Sequence, residues 1–184
     1  MKVRTFVGIK IPQDLSSKIF KFSSEKLKNI KGKIKIVEEE NIHITLLFLG
    51  EIEQNKIGEI IDELKKIKHK RFSIKIKGLG FFPSYEFPKV IWLGSESDEI
   101  TNLHYKIRDK LKIFVQKEDP KSFVSHITIA RVKSHISPSE TKKLLNENSK
   151  LEFGEFEVKE FHLFESKLTP YGPIYKIIES FNLE

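Results

Sequence analysis

Apolar and polar residues alternate from Lys2 to Ile9, and then Leu15, Ile19 and Phe22 follow Pro12 at the spacing of one helical face. The pattern predicts a strand followed by a helix of about four turns. After the turn-rich Lys31-Gly32-Lys33, the run Ile42 to Leu49 ends at Gly50 and reads as a strand. Gln54 to Lys68 carries Ile57, Ile60, Ile61, Leu64 and Ile67 at helical spacing. Phe72, Ile74 and Ile76 alternate with Lys75 and Lys77, the signature of a half-buried strand that ends near Gly78-Leu79-Gly80. The order then starts again. Val90 to Leu93 reads as a strand, Ile100, Leu103, Ile107, Leu111 and Phe114 mark a helix, and Val124 to Val132 is a strand. Ser137-Pro138 opens a short helix, and strands are expected over Phe153 to Phe164 and Ile174 to Phe181.

This recurrence is written into the residues themselves. His43-Ile44-Thr45-Leu46 returns as His126-Ile127-Thr128-Ile129, 83 residues later. Phe72, Ile74, Lys75 and Leu79 are matched by Phe156, Val158, Lys159 and Leu163, each 84 later, and Phe6 to Ile19 resembles Ile91 to Leu103. No Gly/Ser/Pro-rich linker separates the halves. We therefore expect an α+β fold in a single domain spanning 1–184, made of two interleaved repeat lobes. In this pseudo-twofold duplication two antiparallel sheets face a central cleft, with helices packed outside.

Side chains two apart in a strand share a face, so His43 and Thr45 point one way while Ile44 and Leu46 point into a core. The second copy divides in the same manner, with His126 and Thr128 on one face. A pseudo-twofold axis would bring two imidazoles and two hydroxyls together across one cleft, an arrangement suited to a tetrahedral anion. One neutral and one protonated imidazole form a natural pair for in-line displacement at phosphorus, the first taking a proton as the second gives one. A single His-x-Thr is a common tripeptide; two copies in register with a wider repeat are not. Two histidines without a placed carboxylate fall short of the usual ligand set of a zinc site, so neither metal nor cofactor is expected. His69, His104, His135 and His162 have no repeat partner and read as surface or packing residues.

Composition narrows the chemistry further. The 184 residues include no cysteine, which excludes disulfides, zinc-thiolate sites and thiol nucleophiles. Lysine and arginine number 33 against 26 acidic residues, a net charge of +7, which favours an anionic partner, nucleic acid before membrane. The basic excess concentrates at Lys26, Lys28, Lys31, Lys33 and Lys35 and again from Lys65 to Arg71. Enrichment in Lys, Glu and Ile also suits adaptation to high temperature, but that accounts for charged residues of both signs and not for the excess of base. Apolar runs are far too short for a membrane span, and Met1-Lys2-Val3-Arg4 leads into a strand rather than a signal peptide. A soluble, unprocessed, cytoplasmic protein is expected.

Arg4-Thr5-Phe6-Val7 with Pro12, His43 through Gly50, Pro88 through Gly94, His126 through Arg131 and Tyr171-Gly172-Pro173-Ile174-Tyr175 together resemble the RNA 2′,3′-cyclic phosphodiesterases. That family, also called 2′-5′ RNA ligases, belongs to the two-histidine phosphoesterases, and the resemblance covers nearly the whole chain. It implies a bilobed α+β duplication and hydrolysis of an RNA terminal 2′,3′-cyclic phosphate to a 2′-phosphate. The partners it implies are RNA with such ends, tRNA fragments among them, and nucleotides, acted on by a monomer. By resemblance His43 is the general acid, His126 the base, and Thr45 and Thr128 the motif threonines. Arg131 matches a phosphate-contacting arginine, and Phe48, at the same position in the first copy, lies where a base or ribose packs. Strict alternation sets Arg131 and Phe48 on the face opposite the histidines, so a bulge or twist must turn them into the cleft. Two other readings fit the same residues: a nucleic-acid or nucleotide binding module without turnover, and a phosphodiesterase of small cyclic or 2′-5′-linked nucleotides.

Overall fold

The computed structural model describes every residue except Pro120. In chain order the strands and helices are β1 (Lys2–Lys10), α1 (Gln13–Leu27), β2 (Ile34–Ile36), β3 (His43–Glu53), α2 (Ile57–Lys65), β4 (Phe72–Phe82), β5 (Val90–Gly94), α3 (Asp98–Leu111), β6 (His126–Val132), α4 (Pro138–Glu147), β7 (Glu152–Val158), β8 (Glu160–Thr169) and β9 (Gly172–Asn182). Local chemistry explains the helix starts. Ser97 caps α3 by accepting the Ile100 N–H, with Asp98 and Glu99 in the positive first turn. Ser137 caps α4 in the same way from Glu140, and Pro138 occupies the first turn, where its missing N–H costs nothing. On α3, Ile100, Leu103, Ile107 and Leu111 line one face and are fully buried, as their spacing requires.

The strands form one curled antiparallel sheet in the order β7-β4-β5-β6-β3-β1-β8-β9. Its two halves, β9-β8-β1-β3 and β6-β5-β4-β7, carry one copy of the His-x-Thr motif each. Among the described residues they meet at a single rung, Ile44 opposite Ile127, so the two expected sheets are joined edge to edge. Past that rung the edge of β6 is taken over by β2, which pairs Lys35 with Arg131. The helices pack on the face carrying Ile44, Leu46, Ile127 and Ile129, all buried in one continuous apolar cluster; the histidines occupy the other face.

Two elements differ from the reading of the sequence. The strand expected over Phe153 to Phe164 breaks at Lys159, and its parts join opposite halves of the sheet, β7 against β4 and β8 against β1. The repeat matches of Phe72 and Ile74 thus lie on β7 as direct ladder neighbours, Phe72 opposite Val158 and Ile74 opposite Phe156. Strand β2 is only three residues long and sits in a lysine-rich turn, where periodicity has too few positions to register.

Candidate active site

His43 is the first residue of β3 and His126 the first of β6. Each imidazole is held by the same local device. Nδ1 of His43 donates to the carbonyl of Asn41 at 2.6 Å, and Nδ1 of His126 to that of Val124 at 2.8 Å, two residues upstream in both cases. With the proton fixed on Nδ1, the neutral ring presents a bare Nε2. The Thr45 hydroxyl donates to Nε2 of His43 at 2.9 Å. Among the described residues no matching bond joins Thr128 to His126, so the second Nε2 is the freer of the two.

Both rings resist protonation. Burial pushes His43 down to about 4, against the opposing bond to Asn41, and the positive charges of His126 and Arg131 lower it further. Burial also holds His126 below the ordinary histidine range, against its bond to Val124, and Arg131 adds to the shift. The guanidinium of Arg131 therefore lies within electrostatic reach of both imidazoles. Packing is aromatic on each side. His43 touches Phe6 and Tyr175, with ring centroids at 4.9 and 5.0 Å, while His126 meets Phe82 at 4.9 Å and Trp92 at 6.2 Å. Two glycines allow these walls to form. A Cβ on Gly8, opposite Thr45, would lie 2.6 Å from the Ile44 carbonyl oxygen, and one on Gly80 would lie 2.2 Å from a carbon of the Trp92 ring.

The required bulges are present, at equivalent places in the two copies. On β3, Thr45 pairs with Gly8 but Leu47 pairs with Val7, which leaves Leu46 as an extra residue. On β6, Thr128 pairs with Trp92 but Ala130 pairs with Ile91, which leaves Ile129 extra. Each bulge lies three residues after its histidine and reverses the alternation beyond it, turning Phe48 and Arg131 onto the cleft face. Phe48 then stands directly opposite Phe6, the ring that touches His43, and is 48% exposed. Both bulge carbonyls find partners outside the β1–β3 and β5–β6 ladders. The Val37 N–H donates to Ile129 at 2.9 Å, and Nδ1 of His104, reaching from α3, donates to Leu46 at 2.6 Å.

That gives His104 a defined structural task, since it also stacks on Phe123 at 4.0 Å and is buried. His104→Leu strands the Leu46 carbonyl and is expected to cost about 1–3 kcal/mol in urea unfolding, with a raised KM as Phe48 shifts. Unchanged stability would contradict the capping. Of the other histidines without a repeat partner, His69 is buried between Lys106 and Glu99, and His162 is buried against Ser180. His135 is exposed. A surface cavity of about 740 Å³ beside His69 mixes Lys68, Lys70, Arg71 and Lys106 with Glu99, Asp109 and Glu184, and includes neither motif histidine. Its charges nearly balance.

All six side chains singled out in the sequence, His43, Thr45, Phe48, His126, Thr128 and Arg131, are thus brought to one face of the sheet. Phe6, Phe82, Trp92 and Tyr175 join them, unforeseen as site residues. Phe6 and Trp92 lie in the runs Arg4 to Val7 and Pro88 to Gly94, and Phe82 and Tyr175 in the runs Phe82-Pro83 and Tyr171 to Tyr175, but nothing in the pattern says that β1, β4, β5 and β9 border the histidines.

The family model described as LigT like Phosphoesterase matches the chain twice, over residues 9–92 and 93–175, one match to each half of the repeat. A protein of Aquifex aeolicus (strain VF5) named RNA 2′,3′-cyclic phosphodiesterase is 39% identical, covering 98% of this chain and 97% of its own length. A protein of the same name from Archaeoglobus fulgidus is 38% identical over 97% of this chain and 99% of its own. Among solved structures, a Thermus thermophilus protein superposes with a TM-score of 0.82 at 26% identity, covering 97% of each chain. Escherichia coli LigT complexed with 3′-AMP shares the fold, with a TM-score of 0.79 at 20% identity over 100% of this chain and 99% of that one. With the doubled motif at the head of two equivalent strands and the family model matched across both halves, the chain belongs to the LigT-like phosphoesterases.

Proposed function

We propose that the protein hydrolyses the 2′,3′-cyclic phosphate at the end of an RNA to a 2′-phosphomonoester, by a paired-histidine acid and base mechanism. The observation that carries this reading is the matched pair of imidazoles, each locked through Nδ1 to a backbone carbonyl and both within the field of one guanidinium. Relatives named RNA 2′,3′-cyclic phosphodiesterase, 36–39% identical over nearly the whole chain, support the substrate.

In this mechanism Nε2 of His126 takes a proton from a water molecule whose oxygen attacks phosphorus. The bond to the ribose 3′ oxygen breaks in line, and that oxygen receives a proton from Nε2 of His43. Each transfer is worth roughly 10²- to 10⁴-fold in rate. Arg131 pairs with the nonbridging oxygens, as a guanidinium fork suits phosphate, and Thr128 and Thr45 donate to the same group. His43 is neutral in the free protein, so its proton arrives with the anionic substrate, whose charge offsets that of Arg131. Phe48 packs the terminal nucleoside. The scheme calls for no metal ion, and among the described residues no three His, Asp or Glu side chains converge as a ligand set. Run in reverse, with an RNA 5′ hydroxyl in place of water, the same groups would form a 2′-5′ linkage.

RNA is favoured over small nucleotides by the charge. The net charge of +7 is unchanged by pairing between side chains, and a longer polyanion meets more of it than a single nucleotide does. We envisage a monomer acting in the cytoplasm on cyclic-phosphate-ended RNA, tRNA fragments included. The test compares an oligonucleotide ending in a 2′,3′-cyclic phosphate, a mononucleoside cyclic phosphate and a 2′-5′ dinucleotide as substrates. The oligonucleotide is expected to give the highest kcat/KM, and binding of all three without turnover would contradict the proposal.

The resting protonation states set the pH profile. Because both histidines lie below 6.5 in the free protein, kcat/KM, which reports free enzyme, is expected to peak on the acid side of 6.5. The optimum of kcat, which reports the complex, moves to higher pH as bound phosphate favours the imidazolium. A kcat/KM optimum on the alkaline side of neutrality would contradict this assignment.

A further inference from the structure

Alternation along β1 puts Arg4 on the same face as Phe6, two residues away, while Thr5 between them is fully buried on the other face. Phe6 packs against His43 and Tyr175, so Arg4 lies one step, roughly 7 Å, further along the same wall of the cleft. Its guanidinium is centred 4.7 Å over the Phe48 ring. The ladder sets Arg4 directly opposite Glu51, yet among the described residues no carboxylate comes within ion-pair distance of it, nor of Arg131. The cleft thus presents two unpaired guanidinium forks. Burial raises the Tyr175 phenol above its ordinary range, and Arg131 and Arg4 both pull against that shift, so both guanidinium charges reach this one ring.

A phosphate-binding mechanism at His43, His126 and Arg131 uses one fork and leaves the other without a task. An RNA end supplies two anions on one nucleotide: the cyclic phosphate on the 2′ and 3′ oxygens, and the phosphodiester on the 5′ oxygen of the same ribose. A mononucleoside cyclic phosphate has only the first. We propose that Arg4, stacked on Phe48, is the subsite for the phosphodiester that precedes the terminal nucleoside. Stacking suits the role, because the ring fixes the plane of the fork while its N–H edges stay available to phosphate. Phe48 is still 48% exposed with Arg4 over it, which leaves ring surface for the terminal base. This reading rests on the proposed reaction, and it makes the enzyme selective for the ends of chains over free cyclic nucleotides.

The experiment measures kcat and KM for a dinucleotide ending in a 2′,3′-cyclic phosphate and for the mononucleoside 2′,3′-cyclic phosphate, with wild type, Arg4→Ala and Arg4→Lys. In Arg4→Ala the preference for the dinucleotide, as a ratio of kcat/KM values, is expected to fall about tenfold, carried by KM, with Arg4→Lys intermediate. A dinucleotide whose internal linkage is an uncharged methylphosphonate should lose the same factor with wild type and nothing more with Arg4→Ala. An unchanged preference ratio in Arg4→Ala, or additive losses from the variant and the methylphosphonate, would overturn the subsite while leaving the proposed reaction standing. Failure of the wild type to turn over either substrate would overturn the reaction itself.

Discussion

His126→Ala is expected to lower kcat by about 10²- to 10⁴-fold while RNA affinity stays close to that of the wild type. The separation follows from what the ring touches. Nδ1 is bound to the Val124 carbonyl, which leaves Nε2 for the chemistry, and in the proposed mechanism phosphate affinity rests on Arg131 and the threonines. His43→Ala should lose a similar factor, but that ring also packs on Phe6, Phe164 and Tyr175, so part of its loss can come from the collapse of the aromatic wall. His43→Gln keeps more of the volume and still lacks a titratable nitrogen, so it should be as inactive as the alanine variant. Single-turnover rates and filter binding separate the two quantities. Loss of RNA binding in both histidine variants, with chemistry spared on whatever substrate remains bound, would contradict the roles.

The second large effect is expected at the seam of the sheet. Ile44 and Ile127 form the only register pair between the two halves among the described residues, and both are fully buried. Each sits immediately after its histidine and before its threonine, so the contact that joins the halves also sets the separation of the two imidazoles. Ile127→Ala removes packing atoms on both sides of the join and should destabilise the fold by about 2–5 kcal/mol, against about 0.5–1.5 kcal/mol for Ile127→Val. Activity at a temperature where Ile127→Ala is still folded should fall further than in the valine variant, because the cleft can widen. Full activity in the folded alanine variant would mean that the seam does not position the site.

Much of this fold was legible because its halves repeat. His43-Ile44-Thr45 and His126-Ile127-Thr128 announce two strands of equal role, and the spacings of α2 and α3 are regular enough to read without a structure. The sequence also exposes the problem of Phe48 and Arg131, which strict alternation sends to the wrong face. Its solution is a pair of bulges whose carbonyls are satisfied by His104 and Val37, partners 58 and 92 residues distant, and no local pattern reveals them. The same holds for Tyr175, which reaches His43 only because β9 curls with the sheet, and for the break at Lys159, where a continuous β-rich run changes halves. Periodicity reports which face a residue prefers; it carries no information about which distant strand will lie beside it. Arg4 illustrates the point, since it reads as an ordinary surface cation until its ladder neighbours are known.

The most direct test of the central claim is phosphorus NMR of an RNA oligonucleotide ending in a 2′,3′-cyclic phosphate, incubated with the protein in EDTA beside a His43→Ala, His126→Ala double variant. Conversion of the cyclic resonance to that of a 2′-phosphate by the wild type alone is the predicted result. A cyclic phosphate that persists with the wild type, or one that the double variant opens equally well, would contradict a metal-independent reaction driven by the two histidines.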